Sequence, residues 1–63
     1  MDFTKVNSTD TVGIHPEHMV EGTEIIHRNQ KWEVIEVMAD KSAGLVQRGS
    51  EIALVVPVNI NRK

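Results

Sequence analysis

From Ile52 onward, aliphatic residues occupy every second position: Ile52, Leu54, Val56, Val58 and Ile60, an unbroken alternation over nine residues. Period two is the repeat of one face of a β-strand, and it does not lay a stripe along a helix. This segment alone commits a chain of 63 residues to building a sheet. Its opposite face carries Ala53, Val55, Pro57 and Asn59, so that face is partly apolar as well. Pro57 has no N–H to give to a ladder, which places that end of the strand at an edge or outside the sheet.

A strand needs partners, and the middle of the chain supplies them. Residues 23–28 and 31–38 are rich in β-branched side chains. In the second segment Trp32 and Val34 share one face and Glu33 and Ile35 the other. Strict alternation would send Val37 away from Val34, so a bulge near Ile35–Glu36 is expected to return it to the core face and to bend the strand. A helix over residues 31–39 is the competing pattern, because Val34, Val37 and Met38 share a helical face. The β-branched content and the adjoining turn signals favour the strand. Between the two segments, His27-Arg28-Asn29-Gln30-Lys31 reads as a hairpin tip. Asn29-Gln30 lacks the glycine of the favoured two-residue turns, so a longer loop using all five residues is expected. Residues 40–44 form a turn-rich connection and residues 45–47 a short strand. Arg48-Gly49-Ser50 turns the chain again, with Gly49 available for a positive φ.

The start of the chain differs. Residues 1–13 are polar and read as a flexible segment, with an alternative in which Phe3 and Val6 pack on a neighbour and residues 11–14 add an edge strand. In His15-Pro16-Glu17-His18-Met19-Val20-Glu21-Gly22, Pro16 suits a first helical position and Gly22 a position just past a helix end, so residues 16–21 are expected to form a short helical turn. The division that follows is a flexible segment 1–13, a single small β domain 14–60 and a tail 61–63. The expected fold is mainly β, a small, strongly bent antiparallel sheet or SH3-like barrel of four or five short strands. The run Gly22-Thr23, strand, turn, Lys31-Trp32-Glu33-Val34-Ile35-Glu36-Val37, turn, strand resembles small β-barrel modules such as KOW-like domains and the barrel segments of phage connector proteins. The resemblance spans residues 22–58 and carries no motif from which a function would follow.

Composition narrows the chemistry. There is no cysteine, hence no disulfide and no thiolate metal site, and the composition suits a reducing cytoplasm. No apolar run approaches the length of a membrane span, so no membrane association is expected. Small domains without staples commonly lean on a partner subunit. His15 and His18, three apart on a helical turn, can face one metal, yet the third ligand a zinc site needs would have to be His27 or an acidic residue from elsewhere, and no metal or other cofactor is expected. The candidate nucleophiles Ser8, Ser42 and Ser50 stand in polar turns with no base in sight. Glu33 and Glu36 project to opposite strand faces unless a bulge intervenes. The four glycines are too scattered for a phosphate loop, so no enzyme is expected.

Binding remains. Arg28, Lys31, Lys41 and Arg48 would make a basic spot if their turns met at one end, and Trp32 beside them would offer stacking, the reading as a nucleic-acid-binding barrel. A net charge of −2 argues against it. The protein-interaction reading fits better: a non-catalytic regulator or inhibitor, of the kind phages encode, that docks on a larger protein, with a structural phage connector subunit as a further alternative. The expected contact residues are Arg28, Asn29, Gln30, Lys31 and Arg48 for the partner. Ala53, Val55 and Pro57 are expected to serve self-association as a homodimer, unless the N-terminal segment covers them.

Overall fold

The structure, a computed structural model, describes residues 3–58. Five strands form one sheet: β1 (Thr11–Ile14), β2 (Glu24–His27), β3 (Gln30–Val37), β4 (Gly44–Arg48) and β5 (Glu51–Pro57). Their order across the sheet is β1-β5-β4-β3-β2, and the sheet curls into a half-barrel. The mainly β, strongly bent architecture expected from the sequence is therefore present. The expectation of a purely antiparallel sheet needs one correction: β1 pairs with β5 in parallel, from Thr11↔Leu54 to Ile14↔Pro57. The meander β2 to β5 leaves the edge of β5 open, and the chain, bonded through Asn7 and Ser8 to Ile52 near the start of β5, runs on alongside it as β1.

The bulge in β3 sits where the apolar pattern demands it. Val34 faces Val46 and Glu36 faces Leu45, which leaves Ile35 as the extra residue and returns Val37 to the core side. Gly44 makes this possible. A Cβ at that position would lie 2.5 Å from the Glu36 carbonyl oxygen. The bulge also moves Glu36 to the same outer face as Glu33.

The core lies on the inner face of the curl: Val12, Met19, Ile25, Trp32, Val34, Val46, Ala53 and Val55, with Ile14 and Val37 packed against it. This reverses the expected orientation of β5. Ala53 and Val55 are fully buried inside, while Ile52, Leu54 and Val56 lie on the outer face, partly covered. With the bulky Trp32 and Met19 already filling the inside of the curl, the β5 inner face takes the smaller Ala53 and Val55 and leaves Ile52 and Leu54 outside. Leu45 is fully buried on that outer face, between its cross-strand neighbours Glu36 and Leu54. Pro57 stands two residues beyond Val55, whose pair with Gly44 is the last with β4, so its missing N–H breaks no ladder bond to β4.

The expected domain boundary at 13/14 cuts through β1 and has to move toward the N-terminus, because Val12 is part of the core. Before β1, Asn7 imitates a strand. Its backbone N–H donates to the Ile52 carbonyl at 3.0 Å and its Nδ2 to the Ser50 carbonyl at 3.0 Å, while its Oδ1 accepts from the Ile52 N–H at 2.8 Å. A short 3-10 turn, Phe3–Lys5, precedes it. The helical turn expected over 16–21 is a 3-10 turn, Pro16–His18, closed by His18 N–H to the His15 carbonyl and Met19 N–H to the Pro16 carbonyl. It stops early because Met19 turns inward to fill the core. Ile60 and the tail 61–63 lie outside the described residues.

Candidate functional site

Among the described residues the sheet does not close. β1 and β2 are its two edges, and the strand directions leave them antiparallel to each other across an open seam. The curl brings these edges near one another. At one end Arg28 Nη2 reaches Asp10 Oδ1 at 4.0 Å, joining the β2–β3 turn to the entry of β1. At the other end Ile14, His15, His18, Glu24, Ile25 and Ile26 line a groove of about 280 Å³. That volume lies near the lower limit of small-molecule pockets, roughly 300–1,000 Å³.

Each lining residue has a local cause. Ile25 points inward in the alternation of β2, and Ile26 therefore points out, 67% exposed. His15 caps the 3-10 turn, its Nδ1 accepting from the Glu17 N–H at 3.3 Å. One helical turn on, His18 meets it edge to face, with ring centroids 6.2 Å apart. The Glu17 carboxylate lies 4.0 Å from both rings. Among the described residues, no three metal-binding side chains converge.

The hairpin tip is tighter than expected. Arg28 and Asn29 alone connect β2 to β3, with φ of 55° and 63°. Both residues are left-handed, the signature of a type I′ turn, and its right-handed twist match outweighs the absence of glycine. Gln30 pairs with His27 to close the hairpin, and Lys31 with Ile26. Arg48 lies at the same end of the sheet, before the Gly49-Ser50 turn, where Gly49 has the expected positive φ of 62°. Lys41 lies at the opposite end. The expected contact cations at the tip end each have a carboxylate neighbour: Arg28 near Asp10, Lys31 3.8 Å from Glu24, and Arg48 3.4 Å from Glu51. All are exposed pairs, worth about 0–1 kcal/mol each, but they neutralise the tip.

The expected self-association set is not a surface. Ala53 and Val55 belong to the core, covered by Val12 and Met19, and only Pro57 is part exposed. Two of the candidate nucleophiles are engaged in turn chemistry: Ser8 Oγ accepts from Asp10 N–H at 3.2 Å, and the Ser42 hydroxyl donates to Asp40 Oδ1 at 2.8 Å; at Ser50 it is the backbone carbonyl that accepts from Asn7. The hydrogen bonds from the Ser42 hydroxyl and then its N–H hold the Asp40 carboxyl below its ordinary value. Inside the tip, Trp32 Nε1 and His27 Nε2 are buried without a hydrogen-bond partner among the described residues, their rings 6.5 Å apart. Such unpaired groups cost about 1–3 kcal/mol each.

In the sequence His15 and His18 suggest only a metal pair, and the adjacent Ile25 and Ile26 carry no local signal for which of them faces the core. The seam itself has no local signal, because it is made by strands that are adjacent only through the curl. Compared with protein-family models, with curated protein sequences and with solved structures, the chain matches none.

Proposed function

We propose that this chain is a non-catalytic interaction module that docks on a larger protein, as an accessory regulator or inhibitor working in a reducing compartment such as the cytoplasm. The observation that carries this reading is the open seam: two four-residue edge strands with an apolar lining and an isoleucine, Ile26, exposed beside them. Edge strands present unpaired backbone groups, and soluble proteins ordinarily guard them with Lys, Pro or a covering element. Neither β1 nor β2 carries a Lys or a Pro. The tip residues Arg28, Asn29, Gln30 and Lys31 adjoin the seam and would rim such an interface. A nucleic-acid role gains nothing from the tip, whose cations already face carboxylates.

Affinity capture from lysate of the source cells, with the intact chain as bait, tests the reading. The expected outcome is a protein retained by the native chain and lost by Ile26→Asp, a substitution at an exposed site that leaves folding intact. Capture of no protein, or capture equal for both baits, contradicts it.

A further inference from the structure

We propose that the open edge of β2 takes up an extended segment of a partner protein as an added antiparallel strand, and that it selects segments in which apolar residues alternate with Lys or Arg. This proposal rests on the protein-docking reading above. The backbone supplies the first part. The Val34 N–H donates to the Thr23 carbonyl at 2.8 Å, and the register Ile25↔Trp32 and His27↔Gln30 continues that phase. The Thr23 carbonyl and the backbone groups of Ile25 and His27 are therefore directed at β3, while the Thr23 N–H donates to the Val20 carbonyl at 3.1 Å. Glu24 and Ile26 direct their backbone groups outward, because hydrogen-bonding direction alternates along an antiparallel strand. Neither has a backbone partner on that side among the described residues. Two N–H and two C=O groups thus stand ready in strand register, the means by which proteins add an extended peptide to a sheet.

The side chains supply the second part. An added strand alternates its own side chains between the two faces. Those turned inward meet Ile14 and Ile25 in the groove, and those turned outward lie beside Glu24. Glu24 stands on that edge, Glu17 lies beside the groove-lining His15 and His18, and Glu33 faces Glu24 across the pair, while the nearby cations are already matched, Lys31 3.8 Å from Glu24 and Arg28 4.0 Å from Asp10. Glu24 and Glu33 face each other directly across the β2–β3 pair, a like-charge juxtaposition that disfavours the free protein and that an incoming cation relieves. The same charges argue against a second copy of this chain as the occupant. Pairing β2 with β2 would bring Glu24 and Glu33 of both copies into one patch.

The test is an amide-resolved NMR titration of the full chain with a capped hexapeptide of alternating Val and Lys, up to about 1 mM, the scale of a weak specific contact. Two control peptides accompany it: alternating Val and Glu, and the Val/Lys peptide N-methylated at alternate residues. Saturable shifts centred on Ile14, Glu24 and Ile26 are expected, with both controls at least tenfold weaker. Ile26→Pro should bind at least tenfold more weakly than Ile26→Ala, since both lose the side chain but only proline loses the outward N–H. The N-methylated peptide makes the same discrimination without any variant, should the proline disturb the hairpin. Absence of binding, equal binding of the control peptides, shifts centred elsewhere, or shifts at Glu24 and Ile26 that grow with protein concentration alone would overturn the proposal. Peptide failure beside successful capture of a protein removes strand addition and leaves the docking reading. Failure of both removes both.

Discussion

The paired interior of this sheet and its two edges are built from similar residues under different constraints. β3, β4 and β5 have neighbours on both sides, and their inner faces carry Trp32, Val34, Val46, Ala53 and Val55 in full burial. β1 and β2 contribute one core residue each of comparable burial, Val12 and Ile25, and otherwise face solvent across the seam. Stability is concentrated where strands are paired twice, and accessibility where they are paired once. Local opening and ligand uptake are drawn from such weakly held regions in general.

Substitutions sharpen the contrast. Trp32→Ala should cost about 3–5 kcal/mol, enough to unfold a domain this small, whereas Ile26→Ala should stay within about 0.5 kcal/mol in denaturant titration. Equal losses would erase the distinction between interior and edge. Two glycines make a closer comparison. A Cβ at Gly44 meets the Glu36 carbonyl and, at 3.1 Å, Val55 Cγ1, both fixed in the interior, while a Cβ at Gly13 overlaps only Val58 Cγ2 on an exposed side chain that can rotate away. Gly44→Ala should therefore cost about 1–3 kcal/mol and Gly13→Ala clearly less, by the same thermal or denaturant midpoint.

Asn7 secures the stretch of the β5 edge that β1 does not reach. Removing its side chain in Asn7→Ala should lower stability by about 1 kcal/mol, the worth of its side-chain hydrogen bonds at an exposed site. At the hairpin tip the sign reverses. A non-glycine residue in the left-handed region costs about 1–2 kcal/mol, partly offset by the entropy glycine regains on unfolding, so Arg28→Gly should stabilise by about 0.5–1 kcal/mol. The smallest effect is expected at Asp40. Its folded-state carboxyl titrates below the ordinary 3.8, so its contribution is complete above that value and is lost as pH falls through the lower folded-state one. Asp40→Asn should flatten that part of an acid-denaturation curve and leave neutral pH nearly unchanged.

Much of the fold is legible along the chain because it is locally encoded. The four later strands, the Ile35 bulge, the positive φ at Gly49 and the displacement of Pro57 beyond β4 each follow from residues a few positions apart. What escapes the sequence is long-range. The parallel β1–β5 pair joins residues more than forty positions apart, from a polar segment whose only strong core residue is Val12. The orientation of β5 is ambiguous because both of its faces are apolar, and the space that Trp32 and Met19 leave, not hydrophobicity, selects Ala53 and Val55 for the inside. Asn7 looks like any tail residue until β5 is in place beside it. The seam is legible least of all, since it is the space between two elements and no residue encodes it alone.

Amide hydrogen exchange on the intact chain tests the account at its centre. The backbone N–H groups of Glu24 and Ile26, aimed away from β3, should exchange orders of magnitude faster than that of Ile25 between them, and faster still than that of Val46 in the twice-paired interior. Protection of Glu24 and Ile26 equal to that of Ile25 would mean that the edge of β2 is already occupied, and would contradict an open seam.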